Sequence, residues 1–139
     1  MPSDLAAFVG LNILNGVYKQ VPVTMVRELV ESNAFIVDVR EPKEFEAGHL
    51  VNAVNIPLSQ LRERMNEIPK DKPVYVHCRS SQRSYNALCA LKGKGYKNIV
   101  NIMGSFLGIS LYEYPIRYIF PAQNVKRQVI HIPIMLIFC

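Results

Sequence analysis

Four short apolar runs alternate along the chain with segments whose apolar residues recur at helical spacing. The runs are Phe35-Ile36-Val37-Asp38-Val39, Ala53 to Ile56, Val74 to His77 and Asn98 to Ile102. The first and third end in charged or titratable groups, the second is closed by Pro57, and Gly104 follows the fourth. A continuous apolar run of this length suits a parallel strand buried on both faces. Parallel strands need a crossover between them, usually a helix. The order strand, helix, strand, helix, strand, helix, strand, helix therefore predicts an open parallel α/β sheet with helices on both faces.

The helical segments follow from the same spacing. Ser3 can cap a first helix with Leu5, Phe8, Val9 and Ile13 on one face, ended by Asn15-Gly16. Thr24 starts a second over Met25 to Glu31, with Val26, Leu29 and Val30 apolar. Pro42 at a first-turn position favours a short helix through Phe45 that stops at Gly48. Ser59 is placed to cap a helix carrying Leu61, Met65 and Ile68. Tyr85, Leu88, Cys89 and Leu91 mark an amphipathic helix ending at Gly93 or Gly95, and a last helix is expected from about Ser105 to Tyr112. Cys89 is expected to fill the core.

The 139 residues suit one domain, and the 50% hydrophobic content excludes disorder for most of the chain. Residues 1–71 hold ten acids and seven bases; residues 72–139 hold nine bases and one acid, Glu113. These nine bases form no run and no aromatic stripe, so a small anion suits this half better than nucleic acid. Three cysteines, Cys78, Cys89 and Cys139, fit neither a disulfide framework nor a zinc site, which points to a reduced, cytoplasmic protein. Met1-Pro2-Ser3-Asp4 carries no basic signal-peptide start. The longest apolar run, Ile132 to Cys139, is interrupted by Pro133 and is far short of the roughly 20 residues of a membrane span.

In open α/β sheets ligands bind beyond the carboxyl ends of the strands. Asp38-Val39-Arg40 and His77-Cys78 lie at such ends. The segment Cys78-Arg79-Ser80-Ser81-Gln82-Arg83-Ser84 then wraps from strand to helix. Such a loop points its backbone N–H groups inward and makes an anion nest, to which the helix dipole adds. The same field lowers a thiol pKa and makes Cys78 a candidate nucleophile, with Arg79 and Arg83 adding positive charge. His77 precedes it but, as an adjacent strand residue, should face the other side of the sheet. A phosphatase loop of the form H-C-x5-R would need arginine at position 84, where this chain has Ser84. The nest is one residue shorter, which fits a single sulfur better than a phosphate.

These residues resemble the rhodanese domain family. Asp38-Val39-Arg40-Glu41-Pro42, Glu44-Phe45, Gly48-His49-Leu50 and Ala53-Val54-Asn55-Ile56-Pro57 look like its front signature. Cys78 to Ser84 resembles its active-site loop, usually written C-R-S-G-x-R-S, with Ser81 in place of glycine. If that position needs a positive φ, the serine is strained. The resemblance covers about residues 22–114, which leaves 1–21 as an N-terminal helical extension and 115–139 as an apolar segment of unassigned role. Leu5 to Leu14, Gly104 to Gly108 and Tyr112 to Tyr114 are similar to the flavin-dependent CoA-disulfide reductases and NADH oxidases that carry a C-terminal rhodanese domain.

The resemblance implies an open parallel sheet of four to five strands and a sulfurtransferase working through a Cys78 persulfide. A small anionic donor, thiosulfate or a persulfide, would supply the sulfur. Cyanide or a thiol such as CoA or glutathione would accept it. The loop residues Arg79, Ser80, Ser81, Gln82, Arg83 and Ser84 would surround the sulfur, with Arg79 orienting the donor and Arg83 bracing the loop against Glu44. Asp38 and Arg40 would brace the neighbouring strand end, and His49 would bond to nearby backbone. No metal or organic cofactor is implied. The alternative implied function is a sulfur-carrying or regulatory module with little turnover of its own, partner to a flavoprotein disulfide reductase.

Overall fold

The computed structural model describes residues 19–119 and 129–131, with side chains described for 19–113 and 129–131. The expected helix between Ser3 and Asn15 lies outside the described residues, as does Cys139. The elements run β1 (Lys19–Val21), α1 (Val26–Glu31), β2 (Phe35–Asp38), α2 (Pro42–Ala47), β3 (His49–Leu50) and β4 (Val54–Asn55). They continue α3 (Leu61–Arg64), β5 (Val74–His77), α4 (Gln82–Gly93), β6 (Ile99–Ile102), α5 (Ser105–Ile119) and β7 (Ile130–His131). Five strands form one parallel sheet in the order β1-β6-β5-β2-β4. β3 and β7 make a separate antiparallel pair.

Strand alternation divides the core between the two faces of the sheet. On one face Val37, Val74, Val76, Cys78 and Ile99 pack with Leu61 of α3 and Ala87, Leu88 and Leu91 of α4. On the other, Ile36 and Ile102 pack with Val26, Leu29 and Val30 of α1 and Ile109 of α5. The register aligns Val37 with Val76 and Asp38 with His77. The ends of β2 and β5 therefore deliver their chemical groups side by side, as the parallel α/β reading requires.

Several elements differ from the sequence expectation. Lys19–Val21, in the N-terminal extension but past the expected helix end at Asn15-Gly16, is the sheet's edge strand paired with β6. Three residues with one central glutamine carry no periodicity, so only the partner strand defines them. Ile130-His131 pairs with His49-Leu50, and the Val51 N–H donates to the Val129 carbonyl at 2.7 Å. Val129 is 3% exposed and packs in the same cluster as Leu50 and Ile109. Between Pro57 and Pro69 the expected single helix is a four-residue helix flanked by 3-10 turns at Leu58–Gln60 and Met65–Glu67, and Ser59 makes no cap. Leu61, Met65 and Ile68 are nonetheless all buried.

Cys89 is a correction: it is exposed, not core. The buried stripe of α4 is Ser84, Ala87, Leu88 and Leu91. Cys89 follows Leu88 by one residue, about 100° around the helix, which turns it to solvent.

Candidate active site

Cys78 directly follows β5 and is 1% exposed. Its Sγ accepts the Ser81 N–H at 3.0 Å and lies 3.7 Å from the Ser84 Oγ and 3.8 Å from the Ser105 Oγ. Burial pushes the thiol pKa up. The backbone N–H and hydroxyl of Ser84, the backbone N–H of Ser80 and the Ser105 hydroxyl pull it down, and the balance is a lowered thiol. A buried sulfur ringed by donors is a site for negative charge.

The loop is shaped by a left-handed residue. Ser81 has φ +81 and ends the loop at the first residue before α4. This is the position where the sequence raised the question of a positive φ, and the strain is present. The turn points the Ser81 N–H at the sulfur and its carbonyl into α4, where Tyr85 N–H bonds it at 3.0 Å. Ser84 is buried, and its hydroxyl donates toward the Ser81 carbonyl (3.0 Å) and Asn101 Oδ1 (2.7 Å). Arg79, Ser80 and Gln82 are exposed on the outer side of the loop.

Arg83 reaches back to α2. Its two terminal nitrogens donate to the Glu44 carboxylate at 2.7 and 2.8 Å, a fork-to-fork pair. Glu44 also accepts the Glu41 N–H at 3.0 Å, so one carboxylate caps α2 and anchors the loop. The Arg83 guanidinium holds the Glu44 pKa at about 2, against an ordinary 4.5.

Beneath the loop lies a buried ion pair. Arg40 Nε and Nη2 donate to Asp38 at 3.0 and 2.7 Å, and Nη2 also donates to the Gly48 carbonyl at 2.7 Å. Asn55 Nδ2 donates to the carbonyls of Asp38 and Arg40, fastening β4 to this turn. The Arg40 guanidinium stacks 3.8 Å over the Phe106 ring. The Phe106 N–H donates to the Cys78 carbonyl at 2.9 Å and the Leu107 N–H to the Arg79 carbonyl at 3.1 Å. Asp38 and Arg40 thus support the loop through α5 and do not contact the sulfur themselves.

His77 packs on the opposite face from Cys78, as alternation predicts, stacked on Phe106 with Nε2 3.7 Å from Asp38. Burial pushes its pKa down, so the ring is neutral. His49 stays apart from the thiol. Its Nδ1 meets the Phe45 carbonyl at 2.8 Å, and its ring stacks on Phe45 and tilts against His131.

Sequence reasoning missed two residues at the sulfur's shell. Asn101 is a buried amide in an otherwise apolar strand, and Ser105 opens α5. A polar residue inside an apolar run was the available signal for the first. Gly104 was the signal for the second: at φ +86, with Val23 Cγ1 3.2 Å from where a Cβ would sit, it turns the chain so that Ser105 points back at Cys78. Among the described residues no group of three or more His, Cys, Asp or Glu could hold a metal ion. Among them, too, no helix is long and apolar enough to cross a membrane.

Comparison with known proteins gives a consistent result. A family profile described as Rhodanese-like domain matches residues 23–111. The uncharacterized protein YqhL of Bacillus subtilis is 46% identical over 105 residues, which is 73% of this chain and 83% of that protein. A protein of Allochromatium vinosum named Sulfurtransferase is 36% identical over 84 residues, 60% of this chain and 78% of its own length. Among solved structures, reduced Bacillus anthracis CoADR-RHD has a TM-score of 0.71 at 35% identity, covering 78% of this chain and 19% of that one. That last likeness is to one part of a much longer chain. The five-stranded parallel sheet, the Cys78 loop at its carboxyl edge and the profile match together place this chain in the rhodanese-like domain family.

Proposed function

We propose that this domain is a sulfurtransferase that carries sulfane sulfur as a persulfide on Cys78. The observation that supports it best is the sulfur's surroundings: an N–H at 3.0 Å and two hydroxyls within 3.8 Å of a lowered, buried thiol. The Cys78 thiolate attacks the outer sulfur of thiosulfate or a persulfide. A new S–S bond forms, the donor's S–S bond breaks, and sulfite or a thiolate leaves with the electron pair. An acceptor nucleophile then attacks the outer sulfur of the Cys78 persulfide and returns the thiolate. Donors aimed where charge develops stabilise both steps. Arg79, exposed at the rim, orients the anionic donor. The reduced cytoplasm suits this cycle, with CoA or glutathione as thiol acceptor.

The likeness to one part of a longer CoADR-RHD chain favours a second reading, a sulfur-carrying module that turns over slowly alone and delivers to a flavoprotein reductase. One experiment separates the readings. Turnover is measured with thiosulfate or glutathione persulfide as donor and cyanide, CoA or glutathione as acceptor, for the wild type and Cys78→Ser. Steady turnover by the wild type alone supports the enzyme. A single loaded sulfur without turnover, accelerated by an added flavoprotein disulfide reductase, supports the carrier. Equal turnover by Cys78→Ser overturns both.

A further inference from the structure

Among the described residues Ser105 is the one polar side chain at the sulfur that comes from outside the loop, 27 positions away in sequence. It is 0% exposed and has φ +50, a left-handed conformation that a serine adopts at a cost. A buried hydroxyl in a strained backbone position calls for a reason.

Its neighbours supply one. The Cys78 N–H donates to the Ser105 Oγ at 3.2 Å, the Ser81 Oγ lies 3.2 Å away, and the Cys78 Sγ lies 3.8 Å away. A serine hydroxyl has one proton and two lone pairs. The Cys78 N–H occupies one lone pair. The Ser81 hydroxyl, itself on a left-handed residue, donates to the other. The Ser105 proton then has the Cys78 sulfur as its acceptor. The reverse order, Ser105 donating to Ser81, is disfavoured once the sulfur is charged, because an anionic acceptor binds a proton donor about twice as strongly as a neutral one. Ser84 is less available: its proton is already directed to the Ser81 carbonyl at 3.0 Å and Asn101 Oδ1 at 2.7 Å. It adds to the lowering of the thiol, but at 3.7 Å and with its proton shared among these acceptors.

We infer that Ser105 is a further residue of the sulfur-transfer site, its hydroxyl oriented by Ser81 and by the Cys78 amide so that it donates to the Cys78 sulfur when that sulfur is negative. The inference rests on the reading of Cys78 as the sulfur carrier. Ser84 and Ser105 both face the charged sulfur, and among the described residues Ser105 is the one of the two whose proton is not already directed elsewhere. Phe106 and Leu107, whose N–H groups hold the Cys78 and Arg79 carbonyls, keep Ser105 in place.

The test compares the wild type with Ser105→Ala and Ser105→Gly. The Cys78 pKa is read from the pH dependence of its alkylation by iodoacetamide, followed by site-resolved mass spectrometry so that the other cysteines do not interfere. This readout needs no sulfur donor. Persulfide formation from thiosulfate or glutathione persulfide is then measured in a single turnover. Both variants should raise the thiol pKa by about one unit and slow persulfide formation about tenfold. Ser105→Gly should melt close to the wild type, because the strain relieved at φ +50 offsets the hydrogen bond lost to the Cys78 N–H. That combination, a weaker thiolate in an equally stable fold, is not produced by a purely structural serine. An unchanged pKa in folded Ser105→Gly overturns the inference while leaving persulfide formation by the wild type intact. A raised pKa in Ser105→Gly, with no persulfide on the wild type from either donor, supports the hydroxyl's role at the thiolate and overturns the sulfur-carrier reading instead.

Discussion

Arg83 and Glu44 stand 39 positions apart in sequence and share two hydrogen bonds, at 2.7 and 2.8 Å. The pair ties the sulfur loop to the helix after β2. Its energetics depend on pH. Glu44 titrates near 2 in the fold, against an ordinary 4.5. A depressed carboxyl pKa stabilises the fold fully above the unfolded value, and that stability is lost as pH falls through the folded one. The window is therefore from about pH 4.5 down to about pH 2. The side chains are 32% and 31% exposed, so solvent screening leaves about 1 kcal/mol. Denaturation midpoints followed across this window should fall further for the wild type than for Glu44→Gln. Parallel curves would show that the pair contributes nothing.

The Asp38–Arg40 pair is buried, with side-chain exposures of 0% and 4%. Removing one partner leaves the other charged and unpaired. Asp38→Ala should lose about 3–5 kcal/mol of unfolding free energy in urea, and sulfur transfer should fall with it, because Arg40 supports Phe106 against Cys78. A loss under about 1 kcal/mol would mean that the pair is dispensable.

Ser81 meets the sulfur directly through its backbone N–H, which glycine retains, and indirectly through the hydroxyl that orients Ser105, which glycine lacks. Ser81→Gly should relieve the strain at φ +81 and gain up to about 1 kcal/mol. Sulfur transfer should nonetheless fall about fivefold, about 1 kcal/mol in barrier, because Ser105 loses the hydroxyl that orients it. Transfer equal to that of the wild type would show that the Ser81 hydroxyl does not orient Ser105.

Val129 lies in the core although it belongs to the C-terminal stretch. Val129→Asp should cost more than about 3 kcal/mol, by lost burial and a buried unpaired charge. Thermal unfolding measures it, and a neutral outcome would show that β7 is peripheral to the fold.

The legible parts of this chain share a physical cause. β2, β5 and β6 are buried on both faces, so each appears as an apolar run, and the groups that close them mark the site. The pairing of Arg83 with Glu44 came from the family resemblance, since two residues 39 positions apart carry no local signal of contact. β1 and β7 are three and two residues long, too short to carry a period, and exist only through their partners. Cys89 was misread because cysteine composition suggests burial, while the phase of α4 turns it outward. The positions of Asn101 and Ser105 left a signal in the sequence, but their roles did not, for a related reason. A buried polar residue acquires its role from what the fold places beside it, and those neighbours come from β5 and α4.

The central claim is that Cys78 carries the sulfur. Intact-protein mass spectrometry after brief exposure to thiosulfate, and separately to glutathione persulfide, tests it most directly. The account predicts a gain of one sulfur atom on the wild type, reversed by cyanide and absent from Cys78→Ser. No gain on the wild type with either donor, or an equal gain on Cys78→Ser, would contradict it.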